Sequence, residues 1–147
     1  ELLSGIFESS AKDLQYDYSI LFEGQGTMPA PPWGSYYLEI DQLLMGETTM
    51  AFREFLHANN IQLTTQNKEP EDQFGLMLMA LSILLDKQDV DHANKLLNEF
   101  LLPWAFQYLK LIQEASLEHN FYPILATITE MYLREMSQMI DCLAGNN

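Results

Sequence analysis

Three carboxylates, Glu69, Glu71 and Asp72, crowd around Pro70 in the stretch NKEPEDQFGLML, residues 67–78, directly ahead of a long apolar run. Residues of this type at this spacing can do three things: start a helix, act as a catalytic acid and base, or receive a positively charged partner. The helix start has a plain physical basis. Proline suits the first helical position, and Glu71 and Asp72 then lie in the first turn, where the positive end of the helix favours anions. Most proline-led acidic clusters are only that. Two features keep docking in play. Glu69 is a poor N-cap beside Asp or Ser, and the cluster opens what reads as the most buried helix, which puts its carboxylates at the rim of the core.

Catalysis finds less support. A carboxylate pair doing acid–base work needs separated pKa values and an orienting third group, and no His or Ser motif lies nearby. His57, His92 and His119 stand singly on three segments without metal-ligand spacing, so each reads as a surface or boundary histidine. Cys142, the only cysteine, has no basic neighbour to activate it and reads as a small apolar filler. The GQG at 24–26 lacks the strand and lysine of a phosphate loop. The reading is a non-enzyme, with no catalytic residue, no metal site and no cofactor of its own.

A second chemical feature is MPAPPWGSYYL, residues 28–38, which joins consecutive prolines to Trp33, Tyr36 and Tyr37. Rigid proline turns that carry aromatics make apolar binding walls at low entropic cost. The eight methionines add polarisable surface wherever they reach it, although Met77 and Met79 read as core.

The elements that must position these residues are helices. Ser10 and Asp13 form a capping box ahead of a helix whose Leu14, Tyr18, Leu21 and Phe22 share an apolar face. The Gly- and Pro-rich EGQGTMPAPPWGS ends it. ETTMAFREFLHANN is a second helix, with Ala51, Phe52, Phe55 and Leu56 inward and Asn59–Asn60 as a left-handed stop. IQLTTQNK, 61–68, reads as a loop. From Pro70 to about Leu85 apolar residues run nearly all the way round, the pattern of a central helix. Asp89 caps the next, which turns Ala93, Leu96, Leu97 and Phe100 to one side, and Pro103 either kinks it or opens a new one. Asn120 caps the last helix, where Ile124, Ile128 and Met131 line a face and Gly145 lies past the end. The fold class is all-α, a single-domain helical bundle.

Composition narrows the partners. With 147 residues, 48% hydrophobic and 12% aromatic, the chain can bury a core. Its 7 Lys and Arg against 21 Asp and Glu give a charge of −14, which repels nucleic acid and favours basic partners. The single cysteine fits a reducing compartment. The longest apolar run is too short to span a bilayer, and no integral membrane segment is expected.

Taken together, the motifs resemble the redox-enzyme maturation chaperones of the TorD/DmsD family, with the DmsD-like branch the nearer. Members carry an LF helix end, then PPWGS with an aromatic soon after, then EPxDH opening a helix. The counterparts here are Leu21–Phe22, Pro31–Pro32–Trp33–Gly34–Ser35 and Glu69–Pro70–Glu71–Asp72–Gln73, and LLPWAFQYL resembles a further family segment. Gln73 stands where the family has histidine, which keeps hydrogen bonding and loses proton switching. The chain opens on Glu1 in mid-pattern, without an initiator Met. It is therefore expected to be one helical domain over 1–147, the C-terminal three quarters of a longer chaperone, without the family's first helices.

The resemblance implies a cytoplasmic chaperone. Such a protein binds the twin-arginine signal peptide of a molybdenum-cofactor oxidoreductase precursor, of the dimethyl sulfoxide or trimethylamine N-oxide reductase type, until the cofactor is inserted. The alternative is a helical adaptor subunit that uses the Pro-aromatic loop as its interface. The implied peptide site draws on Tyr18, Leu21, Phe22, Pro32, Trp33, Ser35, Glu69, Pro70, Asp72 and Gln73. Trp33 and Asp72 are expected to face one groove, with Asp72 meeting the peptide's basic start and Gln73 adding neutral hydrogen bonds. Helix exchange in the family further implies a homodimer.

Overall fold

The computed structural model describes residues 10–145 apart from 25, 43 and 65–67. Gln25 of the GQG break and residues 65–67 of the expected loop thus lie outside the described residues. Among the described residues there are seven α-helices and one π-helical turn: α1 (Leu14–Phe22), α2 (Gly34–Leu38), α3 (Glu47–Ala58), α4 (Phe74–Asp86), α5 (Val90–Lys95), the π-turn Leu96–Leu101, α6 (Leu102–Glu114) and α7 (Phe121–Leu143). Among the described residues the β-structure is one isolated antiparallel bridge, Trp33 with Gln73. The fold is all-α. No helix among the described residues is long and apolar enough to cross a membrane.

The chain divides into two compact units. One combines the chain up to Pro31 with Phe106–Glu135; the other combines Pro32–Ala105 with the chain from Met136. In the first, the capping box forms: the Ser10 hydroxyl donates to Asp13 Oδ2 at 2.6 Å, and the Asp13 N–H to Ser10 Oγ at 3.4 Å. The face of α1 differs from the expected one. Leu21 is buried, but Tyr18 is 46% exposed and Asp17 takes the inward position. The reason is a hydrogen-bonding demand in the turn between α6 and α7. Asp17 accepts the backbone N–H of Glu118 at 2.8 Å and of His119 at 2.9 Å, and lies 3.3 Å from His119 Nδ1. A carboxylate can be buried when backbone donors replace its water.

Further along this unit Phe22 sits between Tyr18 and Tyr122, at ring distances of 5.1 and 5.5 Å. On α7, which passes from this unit into the second at Met136, the buried positions are Ala126, Leu133 and Ile140, a seven-residue repeat, whereas Met131, expected inward, is 55% exposed. Cys142, expected as a filler, is exposed as well. A stripe of one residue per two turns is narrower than the face the sequence suggests. Gly145 follows the helix at φ +74°, the left-handed end anticipated for it.

In the second unit, α3 buries Phe52, Phe55 and Leu56, with Thr49 inward in place of Ala51. It stops at Asn60, whose φ of 53° is left-handed. Helix α4 buries Phe74, Leu76, Met77, Ala80, Leu81 and Leu84, but Met79 is 52% exposed, so this helix has an outer side that its composition hides. The stretch from Leu96 to Ala105 is buried as deeply, through Leu96, Leu97, Leu101, Trp104 and Ala105. Asp89 caps α5 by accepting the His92 N–H at 3.3 Å. Pro103 neither breaks nor opens a helix. It lacks the N–H that would bond back and crowds the carbonyl ahead, so the turn before it widens into the π-turn and the chain stays helical from Val90 to Glu114.

The buried Asp17 makes a stability prediction. Asp17→Ala leaves two backbone donors without their acceptor, and should cost about 2–3 kcal/mol in chemical denaturation, while Tyr18→Ala on the neighbouring exposed position should cost far less.

Candidate functional site

The site is built where the two motif segments meet. Residues 31–33 and 72–74 run antiparallel, with the Gly34 N–H donating to the Asp72 carbonyl at 3.1 Å and the Phe74 N–H to the Pro32 carbonyl at 2.8 Å. Pro31 and Pro32 precede the bridge, and both segments enter helices directly after it at Gly34 and Phe74, so the pairing ends after this one bridge. Pro70 does not open α4. It begins a turn closed by the Gln73 N–H on the Pro70 carbonyl at 3.1 Å, and Gln73 is the N-cap, its side-chain oxygen accepting the Leu76 N–H at 3.0 Å.

Asp72 is the main correction. It was expected to face a groove, and it is fully buried. Its carboxylate accepts the Ser35 N–H at 2.7 Å and the Thr49 hydroxyl at 3.0 Å, which joins the start of α2 to α3. The charge is spent inside the fold, on donors that only a buried acceptor can reach. Gln73 commits its side-chain oxygen to α4, and the residue is half-buried.

The other two carboxylates face outward with partners. Glu69 Oε2 accepts the Trp33 indole N–H at 3.2 Å. Glu71 holds Arg53 through two parallel bonds of 2.8 Å each, from Nε and Nη2. That pair keeps the Glu71 carboxyl below its ordinary range, chiefly through the hydrogen bond from Arg53. Trp33 itself is half-buried. Behind it Gly34 lets the chain pass the indole of Trp104, since a Cβ there would lie 2.8 Å from Trp104 Nε1. That indole stacks on Tyr37 at 5.4 Å and donates to the Phe100 carbonyl at 2.9 Å. The LLPW segment is thus the backing of the PPWGS turn.

Beside this junction lies a cavity of about 840 Å³, bounded by α3, the chain after it and the acidic segment. Leu56, Ile61, Leu63 and Leu76 give it an apolar floor, and Glu69 and Glu71 stand on its wall with Arg53, Lys68 and His57. Neither Trp33 nor Asp72 lines it; Glu69 connects it to Trp33. Of the residues implied for the site, Pro32, Trp33, Ser35, Glu69, Pro70, Asp72 and Gln73 are brought together, with Pro32 and Ser35 buried. Tyr18, Leu21 and Phe22 belong to the other unit. Sequence reasoning missed Thr49, Arg53 and Glu39. Glu39 accepts the Thr48 N–H at 2.6 Å and so caps α3 from a distance. Arg53 alone carried a signal, as one of 7 cations in a chain of charge −14. Among the described residues no group of His, Cys, Asp and Glu could hold a metal ion.

The fold thus pins the proline-tryptophan turn against the acidic segment that leads into α4. Residues 1–110 match the family described as nitrate reductase delta subunit, and the chain belongs to that family, among its TorD and DmsD members. It is similar to the probable Tat proofreading chaperone DmsD of Haemophilus influenzae, with 35% identity over 84% of this chain and 60% of that protein. The Tat proofreading chaperone DmsD of Salmonella typhimurium is 32% identical over 86% of this chain and 61% of its own length. The chaperone protein TorD of Psychrobacter sp. is 27% identical over 91% and 65%. The chain therefore spans about three fifths of the DmsD relatives it matches.

Two measurements check this geometry. Asp72→Asn can satisfy one of the two donors with its oxygen but presents an NH2 group to the other. It should lower stability by about 1.5–3 kcal/mol, well above the roughly 0.3–1 kcal/mol of a first-turn dipole contact. The Glu71–Arg53 pair sets a pH dependence. Because the folded value is depressed, its contribution is fully present above the ordinary carboxyl value of 4.5 and is lost as pH falls through the lowered one. Arg53→Met should flatten that acid-side slope in melting curves recorded against pH.

Proposed function

We propose that this chain is the larger part of a cytoplasmic chaperone, not an enzyme, that binds a twin-arginine signal peptide. The client is the precursor of a molybdenum-cofactor oxidoreductase subunit, held until its cofactor is inserted and then released for export. The relatives' names carry proofreading and chaperoning of Tat clients, and the geometry supplies surfaces of the right chemistry. A signal peptide has a basic start and an apolar middle. The single observation that favours the reading is the cavity that places Glu69 and Glu71 on the wall of an apolar floor. The carboxylates suit the basic start, the floor suits the apolar stretch, and Trp33 supplies an aromatic wall held in orientation by Glu69. Asp72 serves this site by positioning the turn that carries Trp33.

A chaperone of this kind binds the free peptide, whereas an adaptor subunit needs its whole partner. Calorimetric titration with a synthetic signal peptide separates them. Trp33→Ala should weaken binding by about 1–3 kcal/mol, the range of an aromatic hot spot, with melting temperature little changed. Unchanged affinity in the folded variant would remove Trp33 from the site. The helix-exchanged homodimer belongs to the same reading and is checked by the mass of the protein in solution.

A further inference from the structure

The Arg53–Glu71 pair lies at the edge of the fold, outside the buried core. Both side chains are part-exposed, at 38% and 27%, and both line the cavity. Their geometry is fork against fork, two parallel bonds of equal length. A planar guanidinium makes this arrangement with a carboxylate and an ammonium cannot. A guanidinium supplied by a ligand would present the same two donors to the same two oxygens. The cavity wall therefore already contains, from the protein's own chain, the group that an arginine-bearing ligand would bring.

We propose that Arg53 is a resident stand-in for a ligand arginine on Glu71, and that an arginine of the bound peptide displaces it. This rests on the signal-peptide reading above. The exchange has three physical consequences. Glu71 is never left bare beside an apolar floor, where an unpaired carboxylate is costly once water is expelled. Replacing one fork pair by another contributes little net affinity, so the contact selects arginine over lysine more than it tightens binding. The displaced Arg53 sits on α3 at a position that water already reaches, so its side chain can turn outward and keep its charge solvated. Weak net attraction with strong selection suits a ligand that must later be released.

The test uses the whole chain and two synthetic peptides, one with paired arginines ahead of an apolar stretch and one with lysines in their place. Removing the competitor in Arg53→Met should tighten the arginine peptide about two- to fivefold, the range of a half-exposed ion pair. The lysine peptide should gain less. Glu71→Gln should weaken the arginine peptide, and in the double variant Arg53→Met should bring no gain. Nuclear magnetic resonance gives a direct readout in the wild type: the Arg53 Nε–H should lose its exchange protection when the arginine peptide is added. Peptide binding that leaves that proton protected, or equal affinity in folded Arg53→Met, would overturn the exchange and leave the chaperone reading standing. Failure of the folded wild type to bind either peptide would sink both.

Discussion

The buried carboxylate of Asp72 is the constraint on which the second unit depends. It receives one backbone donor from the start of α2 and one hydroxyl from α3, while its own carbonyl accepts the Gly34 N–H. A charge without water must find donors, and the donors it finds lie on two different elements. That demand fixes the PPWGS turn against the beginning of α4. With the turn fixed, Gly34 passes close to Trp104, the Trp33 ring comes to rest half-exposed, and its indole reaches Glu69. Arrangement of the outer surface follows from what the inner acid requires.

The cluster of three acids thus divides its labour by depth. Asp72 is structural and sealed, Glu71 is paired with Arg53 at the cavity wall, and Glu69 orients an aromatic ring. Each has a partner in the fold, so the chain's large negative charge is not left concentrated as bare carboxylates at this point. A ligand that docks here competes with contacts already made. Interactions gained there would replace interactions lost, which keeps the net free energy of docking small.

A buried acid recurs in the first unit, with a different purpose. Asp17 closes the turn between α6 and α7 through the Glu118 and His119 backbone, about a hundred residues away in sequence. Both buried aspartates replace what a local cap would do for a nearby helix by capping something remote. The same holds for Glu39 and α3. Beside the local caps, three acids thus tie backbone donors of other segments, which makes the connections they join specific.

Amino-acid order by itself determined the longer helices and many of their ends, but not α2, which forms inside the Pro-aromatic stretch read as a turn, nor the start of α4 at Phe74 rather than Pro70. Periodic apolar residues marked α3, α4 and α5, the Ser10–Asp13 box and Asp89 capped where a capping residue should, and Asn60 and Gly145 turned left-handed where helices stopped. These are interactions within a few residues, and local spacing records them. Motif order also pointed to the right family. Tertiary structure alone decided which polar residues go inside. Nothing near Asp17, Thr49 or Asp72 in the chain distinguishes them from exposed neighbours, because their partners arrive from far along the sequence. It likewise decided that Tyr18, Met79 and Met131 face outward, since the width of a buried stripe is set by the packing neighbour and not by the helix that carries it.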